Sequence, residues 1–431
     1  MDIDQIPHYC VDSVSFRVFS TEELLKQSVL NVTQAETFDI VGHPTKDGLH
    51  DALLGPSDRD ELCATCGLGS MHCPGHIGHI SLPLVSFNPM FFMTLYKLVR
   101  GSCFACKRLL APPVVSQVTL AQLQVLDYGC VGAVQELQEI AAFAEDPKDL
   151  GLVLKNRIDD YVNSVIQEVD PEEARHTSRV KNVVECRQRL VKAFVRDHLM
   201  GASRKCMQCK VVRPTMTVQN NSRLVFTSGI DTADKKRHST PDEAEDGTGQ
   251  TYLTPLEARK HLRALWENER PLLERLFGVL SLSSHGCPLD MFFLEALVVP
   301  PTRFRPMSLL NGHKYEHPQT MALSKVIQCC NALKAVLKVM HQDNVKAEEV
   351  DEAEMQRLQL IVDKLVGKDL SAKLHFAWNA LQVAINGVFD SDMDKINLNK
   401  IPGIKQVTSH ASLQLSILPS SYRRRLIVFN M

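Results

Sequence analysis

Two short cysteine and histidine motifs constrain this chain more than any other feature. Cys63 and Cys66 are separated by two residues, and Cys73 and His76, with the same separation, follow six residues later. A two-residue separation lets one tight turn direct both side chains at one ion, and three thiolates with one imidazole complete a tetrahedron. The pattern therefore predicts a structural zinc site formed by Cys63, Cys66, Cys73 and His76.

Two neighbouring histidines compete with His76 for the fourth position. His72 and His79 lie in the same segment, but only His76 has the separation of a zinc knuckle. Pro74 and Gly75 supply its turn, because glycine adopts positive φ without steric cost. The sequence favours His76 and leaves His72 and His79 as alternatives.

Two further Cys-x-x-Cys pairs predict a second site. Cys103 and Cys106 form one pair, and Cys206 and Cys209 form the other about a hundred residues later. Each pair alone is weak evidence for a metal site. Together they supply four thiolates if the helical segment between them brings the second pair back to the first. A redox Cys-x-x-Cys is the alternative, and it is disfavoured because neither pair lies in a βαβ pattern.

Composition limits the class of protein. The 13 cysteines are an odd number and the acidic N-terminus carries no secretory signal, so a reducing compartment and metal-bound thiols are expected rather than disulfides. The net charge of −2 excludes a uniformly basic nucleic-acid binder. No apolar run is long enough for a transmembrane helix, so no membrane partner is predicted.

Helical periodicity, with short strand-like runs such as Val14–Phe19, predicts an α+β fold that is mostly helical. Apolar residues recur three and four apart in two runs, from Leu323 to Met340 and from Leu370 to Val388. An acidic, helix-prone stretch from Glu348 to Asp363 joins them. The pattern predicts an antiparallel coiled-coil hairpin, with two helices of one globular core as the alternative.

One segment is strongly basic, although the net charge of the whole chain is close to zero. Residues 174–213 contain eleven Lys and Arg but two acidic residues, a net charge of +9. A cationic helix leading into a zinc knuckle suits non-specific phosphate contact, although a solvated helix face is the alternative. The predicted nucleic-acid contacts in this segment are Arg187, Arg189, Lys192, Arg196, Arg204 and Lys205.

A proline-rich stretch at residues 300–306 is a second basic candidate. Its prolines hold the backbone extended, so Arg303 and Arg305 are predicted to project from a stiff strand towards nucleic acid.

Several of these motifs resemble the largest subunit of multisubunit DNA-directed RNA polymerases. Leu54-Gly55-Pro56 precedes the first knuckle, and Cys73-Pro74-Gly75-His76 continues as Ile77-Gly78-His79-Ile80. The stretches at residues 100–103, 300–306 and 389–395 most resemble the RNA polymerase I form. The resemblance covers about residues 10–407.

The resemblance implies the clamp, a mobile jaw that closes over template DNA and the RNA–DNA hybrid. It implies two structural Zn²⁺ ions, a clamp head at residues 118–200, a lid from about Arg303 to Gln319 and a rudder beginning at about Phe389. It also implies contact of the coiled coil with an initiation factor, partnership with the second-largest and other RNA polymerase subunits, and a location in the nucleus and nucleolus.

The chain is expected to divide as a zinc-stapled clamp. The predicted divisions are an N-terminal clamp core with the first zinc knuckle at 1–110, a helical clamp head ending at the second zinc pair at 111–227, a disordered loop at 228–252, the returning clamp core with a lid-like segment at 253–320, the coiled-coil hairpin and start of the rudder at 321–400, and a divergent C-terminal tail at 401–431.

The catalytic motif of that family, Asn-Ala-Asp-Phe-Asp-Gly-Asp, does not occur in these 431 residues. Asp390, Asp392 and Asp394 have similar spacing, but Met393 replaces the glycine that would bend the loop so that the carboxylates converge on Mg²⁺. No catalytic residue is predicted, and Mg²⁺ is expected only in the full-length enzyme. We expect this chain to be an N-terminal fragment, a truncated isoform or an incomplete gene model, and we expect that it does not synthesise RNA by itself. A stand-alone zinc-dependent nucleic-acid- or protein-binding module is the alternative.

Overall fold

The computed structural model describes residues 18–58, 60–142, 152–201, 203, 205–227, 250–277, 287–310, 313–344, 352–393 and 403–405. The α-helices in these ranges are α1 (Thr21–Gln27), α2 (Phe92–Arg100), α3 (Pro113–Asp127), α4 (Gly132–Ala142), α5 (Leu152–Gln167), α6 (Pro171–Thr177), α7 (Lys181–Phe194), α8 (Pro255–Phe277), α9 (Pro318–Asn344), α10 (Glu352–Asp363) and α11 (Leu370–Phe389). The strands are β1 (Gly78–Phe87), β2 (Thr215–Gln219), β3 (Arg223–Thr227), β4 (Gln250–Leu253), β5 (Phe293–Val299), β6 (Ser308–Leu310) and β7 (His313–Tyr315).

In the described part of the chain the fold is mostly helical with three small antiparallel sheets, which is consistent with the predicted α+β class. Strands β1 and β5 pair with Gly78 opposite Val299 and Phe87 opposite Phe293. Gly78 is needed there, because a Cβ at this position would lie 2.8 Å from Leu54 Cδ2. Strand β1 precedes helices α2 to α8 in the chain and β5 follows them. Their pairing therefore brings the N-terminal and later parts of the chain into one core.

Helices α3, α4 and α5 form a separate helical head. Pro113 occupies the first turn of α3, where its fixed φ suits helix initiation. Val125, Leu137 and Ile158, one from each helix, are buried against one another. This head therefore has its own apolar core and lies between the two Cys-x-x-Cys pairs in the chain.

A second core surrounds α2, α8 and the sheet of β2, β3 and β4. Leu95 of α2, Leu224 of β3 and Leu265 of α8 are buried in it. Helix α8 kinks at Glu269, whose φ is −126°, two residues before Pro271. The proline ring cannot fit a regular helix interior and removes one backbone donor, which accounts for the kink.

Helices α9 and α11 pack together over the β1–β5 sheet. Leu323 of α9, Val388 of α11 and Ile80 of β1 belong to one buried cluster, whereas Val336 of α9 packs near the start of α11 beside Leu370. The two helices therefore run antiparallel, and the early part of α9 lies in the shared globular core. Helix α10, from the acidic stretch, packs on α9 as a third helix. The predicted coiled-coil hairpin stays a prediction.

The predicted disordered loop at 228–252 is wrong at its end. Residues 250–252 belong to β4, where Tyr252 pairs with Val225 and Gln250 with Thr227. Residues 228–249 lie outside the described part, as do Arg204, Asp394 and most of the predicted rudder and C-terminal tail. Among the described residues, no helix combines the length and apolarity needed to cross a membrane.

Candidate metal centres and basic surface

The first predicted quartet comes together in the structure. Cys63, Cys66, Cys73 and His76 each place a ligand atom within 4.8 Å of the other three. Cys63 and Cys73 are buried, and the Sγ atoms of Cys66 and Cys73 are 3.7 Å apart. The Nε2 atom of His76 is buried and has no hydrogen-bond partner among the described residues, which suits a metal ligand.

The structure also separates His76 from the alternatives. The Nδ1 atom of His79 lies 2.7 Å from Ser28 Oγ, and His79 belongs to β1 rather than to the quartet. His72 is exposed and is not among the clustered ligand residues. His76 is therefore the histidine that the fold directs at the three thiols.

The second quartet unites two parts of the chain separated by the helical head. Cys103, Cys106, Cys206 and Cys209 also have their sulfurs within 4.8 Å of one another. The Sγ atoms of Cys103 and Cys209 are 3.5 Å apart, and those of Cys106 and Cys206 are 3.7 Å apart. The chain therefore returns to its start, as the paired-motif interpretation requires.

The sulfur spacing fits a tetrahedral ion. At a Zn–S distance of about 2.3 Å, the edge of a tetrahedron is about 3.8 Å. The observed separations of 3.5–3.7 Å lie close to that edge and far above the length of about 2.05 Å of a disulfide. Both donor sets therefore fit a tetrahedral metal ion.

Three of the knuckles share one backbone turn. The residue after the second cysteine has positive φ in each, +70° at Gly67, +53° at Lys107 and +63° at Lys210. Its N–H donates to the carbonyl of the first cysteine, at 2.8 Å for Gly67 and 3.0 Å for both lysines. Gly67 therefore occupies a left-handed position in a defined turn, a conformation that glycine adopts without steric cost.

The turn also places backbone donors near the sulfurs. Burial raises the pKa of the Cys206 thiol, but hydrogen bonds from the N–H groups of Cys209 and Gln208, together with those from the Cys209 and Cys106 thiols, lower that pKa to about 7. Burial and the neighbouring thiols raise the pKa of Cys106 to about 12. Four thiolates at this spacing repel one another, so a cation among them is needed to keep all four deprotonated.

The first quartet rests on the segment that follows β5. Arg303 Nη1 donates to the carbonyl of Cys73 at 2.9 Å. Gly75 has a φ of +85°, and a Cβ there would lie 2.6 Å from Pro301 Cβ. Gly75 thus has the positive φ expected of this glycine, and its lack of a Cβ also permits close packing against Pro301.

Part of the predicted basic surface lies on one helix face. Arg189, Lys192 and Arg196 are exposed and are spaced three and four residues apart along α7 and the π-helical turn Val195–Met200 that continues it. Val183 and Phe194 of α7 are buried. Lys205 is exposed beside the second quartet.

Arg187 and Arg196 of this segment have carboxylate partners. Arg187, whose side chain is 20% exposed, forms an ion pair with Asp127 of α3. Arg196, whose side chain is 76% exposed, donates to Asp197 at 2.7 Å. Arg187 therefore holds α7 against the helical head, while Arg196 remains at the surface.

The prediction that Arg305 projects towards nucleic acid is wrong. Its side chain has 0% exposure. The guanidinium donates to the carbonyls of Pro300 at 3.0 Å and Leu49 at 2.7 Å, and to Thr320 Oγ1 at 3.0 Å. Burial lowers the pKa of Arg305 to about 10. Arg305 therefore joins three separate segments inside the core, a role that its proline-rich neighbourhood does not reveal.

Arg305 also affects a buried histidine. His50 stacks on Phe38 at a centroid distance of 5.5 Å, with Nδ1 3.4 Å from Ser57 Oγ. Burial, and secondly the charge of Arg305, lower the pKa of His50 from 6.5 to about 4. The folded chain therefore keeps this ring neutral in a range where the unfolded chain binds a proton.

This difference predicts acid destabilisation. Between pH 6.5 and pH 4 the unfolded state binds more protons at His50, so its stabilising contribution is present above pH 6.5 and is lost as the pH falls towards 4. The free energy of unfolding should drop by about 2 kcal/mol between pH 7.5 and pH 5 from this ring. In urea unfolding experiments, the His50→Gln variant should not show this pH-dependent loss of unfolding free energy. A His43→Gln variant, which changes an exposed histidine, should still show it. Equal pH dependence in the two variants would contradict the assignment.

The described carboxylates near the end of α11 have structural partners. Asp390 is buried and accepts hydrogen bonds from Lys405 Nζ at 2.6 Å and from the Asp392 N–H at 3.0 Å. Its own N–H donates to Asn386 O and ends the helix. Asp390 thus closes a helix end.

Comparison with known proteins agrees with these features. The family model described as RNA polymerase Rpb1, domain 1, matches residues 9–376. The chain is 25% identical over 488 aligned positions to DNA-directed RNA polymerase I subunit rpa1 of Schizosaccharomyces pombe, covering 94% of this chain and 28% of that protein. It is 28% identical over 424 positions to DNA-directed RNA polymerase I subunit RPA1 of Drosophila melanogaster, covering 96% of this chain and 24% of that protein.

A shorter match reaches beyond eukaryotes. DNA-directed RNA polymerase subunit Rpo1N of Methanothermobacter thermautotrophicus is 35% identical over 100 residues, which is 23% of this chain and 12% of that subunit. The chain spans about a quarter of the length of the two eukaryotic relatives described above. The chain belongs to the RNA polymerase Rpb1 domain 1 family and corresponds to the N-terminal region of a largest subunit of the RNA polymerase I type.

Proposed function

We propose that this chain is the clamp portion of an RNA polymerase I largest subunit, held together by two structural Zn²⁺ ions and contributing to the grip on DNA and the RNA–DNA hybrid during ribosomal RNA synthesis. The observation that carries the proposal is the assembly of two four-ligand clusters in a chain that matches this family. Three thiolates with one imidazole, and four thiolates, are donor sets typical of closed zinc sites that stabilise a fold.

The second ion has a mechanical role in this proposal. Cys106 and Cys206 are 100 residues apart in the chain, and their quartet closes the base of the excursion that contains the helical head. Closing such a loop with a metal removes much of its freedom to move relative to the core. The head then moves as one arm with the core rather than as a tethered module.

The basic face of α7 supplies the proposed nucleic-acid contact. Arg189 and Lys192 are exposed on the outer side of this helix, and the ion pair of Arg187 with Asp127 fixes α7 to the head. Lysine and arginine side chains on such a face contact phosphates without reading sequence, and the contact weakens as salt displaces it. Arg196 and Lys205 extend the same surface; Arg303 remains a candidate next to the first quartet.

Duplex binding tests this contact. Arg189→Gln with Lys192→Gln should weaken binding of a DNA duplex about tenfold at low salt and reduce the slope of log affinity against log salt by about 2. Fluorescence anisotropy at several salt concentrations measures both quantities. The matched control is Lys364→Gln with Lys368→Gln, which removes the same charge from exposed positions at and beyond the end of α10.

The control distinguishes a local surface from net charge. If both double variants weaken binding equally, attraction depends on total charge and the α7 face is not the contact. If neither changes the affinity or the salt slope, this basic face has no part in holding nucleic acid.

The same proposal assigns partners and location. We infer contact with the second-largest and other RNA polymerase subunits, and Ile40 and Val41, exposed at 106% and 78%, are apolar groups that a subunit interface would cover. The antiparallel pair of α9 and α11 is the proposed coiled coil for an initiation factor. A nuclear, and specifically nucleolar, location follows from the proposed role. Catalytic Mg²⁺ would belong to the complete enzyme, and this chain alone is proposed to be inactive.

A further inference from the structure

A chain of three side chains lies behind the second quartet. His261 of α8 is 3% exposed, and its Nε2 atom lies 2.6 Å from Ser102 Oγ. Its Nδ1 atom lies 3.3 Å from Lys107 Nζ. Ser102 immediately precedes Cys103, and Lys107 immediately follows Cys106. One histidine, distant in sequence, therefore contacts both ends of the first Cys-x-x-Cys knuckle of this quartet.

The hydrogen bonds fix the proton on the imidazole. The Ser102 hydroxyl donates to the carbonyl of Val99 at 2.8 Å, so its oxygen accepts from His261. Nε2 then carries the proton, and Nδ1 offers a lone pair to the Lys107 ammonium. Burial, and secondly Lys107, lower the pKa of His261 to about 3, which agrees with a neutral ring.

Phe104 holds the same arrangement from the other side. Its ring stacks on His261 at a centroid distance of 4.2 Å and an interplanar angle of 16°. Lys107 Nζ lies 5.5 Å from the centre of that ring, a distance typical of a cation–π contact. The ammonium is thus restrained by an imidazole nitrogen and an aromatic face, rather than extending into solvent.

The position of this ammonium matters because of the charge of the proposed site. Four thiolates around Zn²⁺ leave a net charge of −2, and Cys103 and Cys206 are buried. Burial lowers the pKa of Lys107, whereas the thiolates of Cys103 and Cys106 act in the opposite sense and favour its charged form. A cation held here stabilises the occupied site, and such residues around a metal site tune its affinity.

We propose that Ser102 and His261 position Lys107 as an electrostatic partner of the tetrathiolate site, and that this partner slows loss of the metal. His261 is a positioning residue that acts through Lys107. The inference rests on the proposed metal site and adds to it the residues outside the ligand set that control release of the ion.

The chain contains a matched lysine. Lys210 follows Cys209 as Lys107 follows Cys106, and the two have similar left-handed φ values of +63° and +53°. Both donate their N–H to the first cysteine of their knuckle. Lys210 is exposed, whereas Lys107 is held by His261 and Phe104. Replacing each lysine by methionine removes the same charge from equivalent turns.

Cobalt release from the full-length chain tests the proposal. Co²⁺ bound by four thiolates and Co²⁺ bound by three thiolates and an imidazole have different d–d absorption, so the two sites can be followed separately. With excess EDTA, Lys107→Met and His261→Phe should each lose the tetrathiolate signal about tenfold faster than the unaltered chain. Lys210→Met should stay within about twofold, and Lys107→Arg should restore most of the slow release.

The double variant Lys107→Met with His261→Phe provides the sharpest outcome. It should release cobalt no more than about twofold faster than either single variant, because His261 acts through Lys107. Equal acceleration by Lys107→Met and Lys210→Met, or additive effects in the double variant, would overturn the positioning role alone. Absence of any tetrathiolate signal in the unaltered chain would overturn the metal site as well.

Discussion

Cys206→Ala should halve the metal content of the chain and cause a large loss of stability. Cys206 is buried, and its Sγ lies 3.7 Å from that of Cys106. Zinc binding at such sites is coupled to folding with an apparent free energy of roughly 10–16 kcal/mol. Losing a large part of it should lower the melting temperature by about 10 °C or more. Elemental analysis and scanning calorimetry measure the two effects.

Cys186→Ala is the matched control for that experiment. Cys186 is a half-buried thiol on α7 outside both quartets. It should retain both ions and melt within a few degrees of the unaltered chain, since it removes one sulfur without a metal ligand. A Cys206→Ala chain that keeps two ions and its melting temperature would remove the second site from the account.

Arg305→Met should reduce the free energy of unfolding by about 3 kcal/mol or more, because two backbone carbonyls and one hydroxyl lose their donor inside the core. The affected groups are the carbonyls of Leu49 and Pro300 and the hydroxyl of Thr320. Methionine fills part of the same volume but cannot donate. Chemical denaturation monitored by circular dichroism measures the change.

Arg270→Met gives the comparison on an exposed arginine. Arg270 lies on α8, has a side chain 67% exposed and pairs with Glu274 across one helical turn at 3.9 Å. Its loss should change stability by about 0.5 kcal/mol or less. Similar effects of the two substitutions would contradict a core role for Arg305. Loss of DNA binding by Arg305→Met without loss of stability would restore the surface assignment.

The candidate metal ligands could be predicted from the sequence because their signal is local. A Cys-x-x-Cys turn has the same geometry wherever it occurs, so spacing identifies Cys63, Cys66 and Cys73 and favours His76 over His72 and His79. Pairing the second set needed one further inference, that a helical excursion returns to its start. The structure places Cys106 and Cys206 together and confirms it.

Long-range partners could not be predicted in the same way. Arg305 lies in a proline-rich stretch typical of an extended, exposed strand, but its burial depends on Leu49 and Thr320, which are 256 and 15 residues away. His261 meets Ser102 across 159 residues, and no periodicity in α8 marks that contact. Whether a buried polar side chain finds hydrogen-bond partners depends on how distant segments pack together rather than on the local sequence.

Apolar periodicity likewise predicts which face of a helix is buried but not which element packs against that face. The apolar residues of α9 and α11 predict two helices correctly, but Leu323 and Val388 pack on β1 as well as on each other. Residues 250–252 are polar enough to be assigned to a loop. Their strand exists because they pair with β3, whose own register continues from β2.

Zinc K-edge X-ray absorption of the purified chain, together with its zinc content, tests both proposed metal sites in one experiment. Two ions per chain and an average coordination of 3.5 sulfurs and 0.5 nitrogen are expected, because the two quartets offer seven thiolates and one imidazole. The Zn–S distances should be about 2.3 Å. One ion per chain, or a first shell dominated by oxygen and nitrogen, would contradict the two closed sites on which the proposed clamp depends.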